Sequence, residues 1–211
     1  MIAKVHRAVL AATMLWSLPA PAVANYPGLE RIYMAARCMV GHDRAAAAGL
    51  IRALPLGRER TDVSALSPEL VRRCAGSLGS PPALHLRGGL AQALFFRDFR
   101  GFGLRPMRSI PLVNLDLPVQ DSPPGDRMTE LYRLADCVVR NDPEHVERLL
   151  ATQPGSENEG RFMSLLGNYL RACAPVAELS IARSDLRSVI AQSAYQAMFR
   201  YWTGGLRGVR E

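Results

Sequence analysis

Apolar positions recur at three- and four-residue spacing along most of the chain. Ile32, Tyr33, Ala36, Met39 and Val40 share one face of a helix, and Leu131, Tyr132, Ala135, Val138 and Val139 share a face of the same design. Asp43 and Asp142 follow these stretches at the position of an N-cap, and Asp142 is followed by Pro143 and Glu144, a helix-start signal. A short second helix then buries Leu50 and Ile51 in one case, and Val146, Leu149 and Leu150 in the other. Pro55 and Pro154 end it. A third helix opens at Ser67-Pro68-Glu69. In a fourth, Leu186, Val189, Ile190, Ala194, Ala197, Met198 and Tyr201 make one apolar stripe. The pattern predicts an all-α protein.

The same landmarks return at an offset of 99 residues. Tyr33, Ala36, Cys38, Val40 and Asp43 match Tyr132, Ala135, Cys137, Val139 and Asp142. Leu50, Pro55, Leu66, Arg72 and Cys74 match Leu149, Pro154, Leu165, Arg171 and Cys173. After one inserted residue, Leu86-Arg87-x-x-x-Ala91-Gln92 matches Leu186-Arg187-x-x-x-Ala191-Gln192. Unrelated helices share periodicity but not fixed landmarks, so the sequence reads as a duplication. The expected layout is a signal peptide over 1–24, a first unit over 25–100, an extended linker over 101–126, a second unit over 127–203 and a tail over 204–211. Each unit would have about four helices. The linker is punctuated by proline and has an apolar middle, Ile110 to Leu117, so it is expected to lie against the helices rather than float free.

Four cysteines allow three pairings. The duplication selects Cys38–Cys74 and Cys137–Cys173, each with a separation of 36 residues. In a chain-entropy treatment a loop of that length is worth about 3.8 kcal/mol, comparable to the net stability of a unit of about 70 residues. Metal ligation is the weaker reading. Neither pair is a CxxC, and the Cys38/His42 spacing becomes Cys137/Asn141 in the second copy. No metal and no cofactor are expected.

In the fourth helix of each copy a small residue, an aromatic and a glutamine lie off the apolar stripe: Ala91, Phe95 and Gln92, then Ala191, Tyr195 and Gln192. With Arg87 and Arg187, which also recur, they mark a candidate surface for binding or for packing between the copies. The arginines suit carboxylate or phosphate recognition, or a structural pairing that serves the fold.

The N-terminus changes the setting. Lys4 and Arg7 precede an apolar run from Ala8 to Leu18, and Ala22-Val23-Ala24 precedes Asn25. That layout is a Sec-type signal peptide, with cleavage expected between Ala24 and Asn25. The run is too short to span a bilayer, and no membrane span is expected after cleavage. The product would be periplasmic or secreted, where disulfides persist. Setting Lys4 and Arg7 aside leaves 24 of the 26 basic residues, all arginine, against 19 acidic ones. The absence of lysine there excludes a Walker-A lysine, a pyridoxal Schiff base and a Ser-x-x-Lys nucleophile.

Positive catalytic signals are absent. Gly76-Ser77-Leu78-Gly79-Ser80 lacks the GxSxG order, no HExxH occurs, and Gly88-Gly89 reads as an interruption of a helix rather than a phosphate loop. His145 reads as a solvated residue at a helix start. The run from Phe95 to Arg105 interleaves arginine with aromatics, which in another compartment would suggest single-stranded nucleic acid. Export excludes that partner, and the run reads as a helix end with its phenylalanines buried. No catalytic residue is assigned.

Cys137-Val138-Val139-Arg140-Asn141-Asp142-Pro143 and Leu86-Arg87-Gly88-Gly89-Leu90-Ala91-Gln92-Ala93-Leu94 together resemble motifs of small exported, duplicated helical proteins of GC-rich proteobacteria. The second copy departs from the latter motif at Ser188-Val189. The resemblance spans most of the mature chain and brings no activity with it. The expected function is a non-enzymatic interaction or structural module of the cell envelope, with an unidentified and preferably anionic partner. The alternative is a hydrolase of envelope glycan or lipid, sited in the groove between the copies.

Overall fold

The computed structural model describes residues 26, 28–52, 66–79, 81–108, 127–174 and 181–203. The expected signal peptide over 1–24, Pro55, residues 109–126 of the expected linker and the expected tail over 204–211 lie outside the described residues. Among those described, all regular structure is helical: α1 Leu29–His42, α2 Arg44–Arg52, α3 Pro68–Ala75, α4 Ala83–Asp98, α5 Arg127–Asn141, α6 Pro143–Ala151, α7 Glu157–Leu165, α8 Gly167–Cys173 and α9 Arg183–Thr203. Two short 3-10 turns, Gly76–Leu78 and Arg105–Arg108, join them.

The local signals act as their chemistry requires. Ser67 Oγ accepts from the Leu70 N–H at 3.1 Å and Asp43 Oδ1 from the Ala46 N–H at 2.9 Å. Asp142, itself buried, accepts from the His145 N–H at 3.4 Å and from the His145 ring at 2.7 Å. The stretch that carries Cys173 is two helices rather than one. The chain breaks at Leu166, just ahead of Gly167, whose helix propensity is poor. Disulfides join Cys38 to Cys74 and Cys137 to Cys173, with Cα–Cα distances of 5.6 and 5.8 Å. His42 stands beside the first bridge, and Asn141 donates from Nδ2 to Cys137 Sγ at 3.4 Å beside the second. The bridged sulfurs are not thiolates, so the Cys38–His42–Cys74 grouping is closed to metal while the disulfide is intact.

One continuous apolar core runs through all these helices. Its axis is the packing of α4 on α9, with α1 and α2 covering α4, and α5 and α6 covering α9. From Leu186 to Met198 every residue of α9 is buried, which is why its apolar stripe has so little contrast with its other faces. Gly88-Gly89 does not interrupt α4, contrary to the sequence reading. The helix is continuous, and the glycines are there for close approach. A Cβ on Gly88 would lie 2.6 Å from Ser188 Cα, and one on Gly89 would lie 2.9 Å from Ala36 Cβ.

Candidate functional site

Where α4 crosses α9, two buried arginines reach across the crossing in opposite directions. Arg87 Nε donates to Gln192 Oε1 at 3.3 Å, and Arg187 Nη2 donates to Gln92 Oε1 at 2.9 Å. Gln192 also accepts from the Tyr132 hydroxyl at 2.8 Å. Phe95, Tyr195 and Gln192 are buried, and Gln92 is half-buried. Of the six residues singled out from the sequence, the two arginines and two glutamines thus meet across the α4–α9 seam, while Phe95 is linked to Tyr195 through the Phe99 ring. Arg72 and Arg171, matched in sequence in the same way, lie exposed.

Arg187 is the most enclosed of the charged groups. Its Nη1 pairs with Glu159 Oε1 at 3.1 Å, both side chains at 1% exposure or less. The same guanidinium holds the Leu149 carbonyl at 3.0 Å, the Thr152 carbonyl at 2.7 Å and Thr152 Oγ1 at 3.0 Å. It also lies over the Tyr33 ring, 5.4 Å from its centroid. Glu159 in turn accepts from the Gly155 N–H at 2.6 Å, at the start of α7, where Ser156 is the N-cap. Burial pushes the Tyr33 hydroxyl's pKa up, against the pull of Arg187. Glu159 was not singled out from the sequence. The Ser156-x-x-Glu159 spacing is a capping signature, and it could have pointed there.

Above this node opens a cleft of about 660 Å³. Glu30, Tyr33, Met34, Arg37 and Val40 of α1 form one wall, and Gln92, Ala93, Phe96 and Arg97 of α4 form another. Leu150 to Pro154, at the end of α6, close it. Gln92 and Thr152 belong both to the cleft lining and to the shell of Arg187. Arg97 Nη1 donates to the Val40 carbonyl at 2.6 Å, and Arg37 has no hydrogen bond or ion pair among the described residues. Glu30 is the single carboxylate among the lining residues, and no histidine joins it.

A second polar cluster looks like a hydrolytic triad but is not built as one. His85 Nδ1 lies 3.1 Å from Ser188 Oγ, and its Nε2 lies 3.7 Å from Asp185. Ser188 Oγ is fully buried and donates to the Ser184 carbonyl at 2.8 Å. The Gly88 backbone packs directly on Ser188, leaving no room for a substrate at the hydroxyl. Burial drives the His85 pKa below its ordinary value, with Asp185 opposing, and Tyr26 covers the ring at 4.8 Å.

No family model, curated protein or solved structure matches this chain.

Proposed function

We propose that this chain is an exported, non-enzymatic helical module, built from two copies of one disulfide-stapled unit, that holds an envelope partner in the cleft between α1, α4 and the end of α6. The cleft carries the reading. Its lining is mainly apolar with two arginines at the rim, which suits binding of an anionic partner. The duplication is supported by the 99-residue offset and by the two Arg–Gln hydrogen bonds that cross the α4–α9 seam in opposite senses. Export is supported by the layout of residues 1–24 and by two disulfides, which fit an oxidising compartment. None of the described helices is long and apolar enough to cross a membrane.

A hydrolase in the same cleft would need two carboxylates or a nucleophile beside a base, and the described lining offers Glu30 alone. The test is capture in place. A photo-crosslinking amino acid replaces Met34, which is 54% exposed on the cleft wall. Irradiation of intact cells should yield a defined adduct. A control probe at exposed Arg73, remote from the cleft lining, should not. Equal labelling from both positions, or hydrolysis of envelope material by the purified protein, overturns the reading.

A further inference from the structure

The two staples match in spacing but not in surroundings. Beside Cys137–Cys173 stands Asn141, whose Nδ2 donates to the Cys137 carbonyl at 2.8 Å and to Cys137 Sγ at 3.4 Å. Beside Cys38–Cys74 the matching position is His42. The difference is chemical. An amide nitrogen offers no lone pair to a metal, whereas a neutral imidazole nitrogen binds the same ions that thiolates bind.

A ring nitrogen of His42 and the two sulfurs all lie within 4.8 Å of one another. A tetrahedral zinc ion, with bonds of about 2.3 Å to sulfur and about 2.0 Å to nitrogen, sets its ligand atoms roughly 3.5–3.8 Å apart. Side-chain rotation covers that difference. His42 is exposed and makes no hydrogen bond or ion pair among the described residues, so it is free to turn. Cys38 and His42 stand at i,i+4 on α1 and project from one face of the helix. Cys74 comes from α3, with its Cα 5.6 Å from that of Cys38.

The helix ends favour a cation at the same place. His42 is the last residue of α1, and Cys74 is the last but one of α3. A helix C-terminus carries partial negative charge, which attracts a cation and disfavours a bare thiolate. The grouping contains no carboxylate, so it does not suit the oxygen-seeking ions calcium and magnesium.

We propose that the dithiol form of the first staple is a zinc site, with Cys38, Cys74 and His42 as its protein ligands and water in the fourth position, and that the second staple is not. A dithiol reductant opens the bridge. It gives two electrons and two protons to Cys38 and Cys74 and leaves as a disulfide. Zinc then displaces both thiol protons to solvent, and His42 enters neutral. The link between α1 and α3 thus persists in both redox states, as a disulfide when oxidised and as a metal bridge when reduced.

The test uses the full chain with both bridges reduced by a phosphine, titrated anaerobically with Co2+ as a spectroscopic stand-in for zinc. One ion per chain is expected, with thiolate-to-cobalt charge-transfer absorption and the visible bands of a tetrahedral ion, both removed by Zn2+. His42→Asn, which copies the second unit, should weaken binding at least tenfold. Asn141→His, which copies the first, should add a second ion with the same spectrum. Both positions are exposed, so neither change touches the core. Circular dichroism follows the fold, and if reduction melts helix, zinc should restore it. The oxidised protein should show none of these bands. Tetrahedral bands in the oxidised protein, an affinity indifferent to His42→Asn, or a reduced chain that neither binds zinc nor refolds with it overturns the proposal.

Discussion

Replacing Glu159 with glutamine keeps the shape of the side chain and removes its charge. The amide oxygen can still accept from the Gly155 N–H and from Arg187, so the change isolates the ionic part of the contact. Arg187 then becomes a guanidinium with no exposed surface and no counter-ion among its hydrogen-bond partners in the described residues, held by carbonyls, Thr152 and Gln92. Breaking a buried pair by removing one partner costs about 3–5 kcal/mol, because the remaining charge stays desolvated. For a chain of this size that corresponds to a fall in Tm of roughly 6–20 °C. Urea denaturation followed by circular dichroism reads the change directly. Glu69→Gln is the control. Its partner Arg73 is at 3.3 Å, but both side chains are mostly exposed, and no measurable change is expected. The double variant Glu159→Leu with Arg187→Met should recover part of the loss, since an apolar pair of similar volume leaves no buried charge. If Glu159→Gln costs less than about 1 kcal/mol, the carbonyls of Leu149 and Thr152 already compensate Arg187, and the ion pair is not what holds α7 to α9.

Two further perturbations probe the seam between α4 and α9. His85 has a pKa lowered by burial, so the unfolded chain binds its proton more readily than the folded one. The His85 contribution to stability is therefore complete above the unfolded pKa of about 6.5 and is lost as pH falls through the window below it. His85→Asn should flatten the difference between melts at about pH 7.5 and pH 5 relative to the wild type, and an unchanged difference would refute the assignment. Gly88→Ala forces a Cβ to within 2.6 Å of the Ser188 backbone and should destabilise by about 1–3 kcal/mol or more, whereas Gly49→Ala in α2 meets nothing within 4 Å and should stabilise by up to about 1 kcal/mol. Chemical denaturation of the two variants checks the opposite signs.

The helices were legible because their signals are local. The apolar faces of α1 and α5, the caps at Asp43, Ser67 and Asp142, and the cysteine spacing all act within a few residues or through a fixed separation. The glycine pair misled because helix propensity is also local. It counts the cost of Gly88-Gly89 in an isolated helix, but not the contact with Ser188 and Ala36 that a missing Cβ permits. His85 and Glu159 were passed over for a related reason. Neither has its distant partner fixed by spacing: His85 meets a serine 103 residues away, and Glu159, beyond its local cap with Ser156 and Gly155, an arginine 28 residues away. The cleft was equally hidden, because its walls come from three helices far apart in the chain and its shape exists only once they pack.

What fixes those walls bears on how the cleft would bind. The Arg44 guanidinium grips Asp98 through two contacts of 2.7 and 2.9 Å, and the Tyr195 hydroxyl donates to the same carboxylate at 3.1 Å, which ties α2, α4 and α9 at one end of the seam. Burial and the neighbouring Asp98 push the Tyr195 pKa up to about 12, so this donor keeps its proton at any physiological pH. Gln196 donates to the Ile51 carbonyl at 2.8 Å, a second tie between α9 and α2. At the other side Arg187 gathers Gln92 from α4, the end of α6 and Glu159 of α7 into one buried node. The cleft floor is therefore made of side chains already committed to the core. A ligand entering it orders little that is not ordered beforehand, so the affinity its apolar contacts supply is not offset by the entropy of assembling a site. The same commitment weighs against chemistry there. The buried groups with acid or base character, Glu159 and Tyr33, are engaged with Arg187 in holding helices together, and the groups at the rim, Arg37 and Arg97, are hydrogen-bond donors, as the proposed anion binding requires.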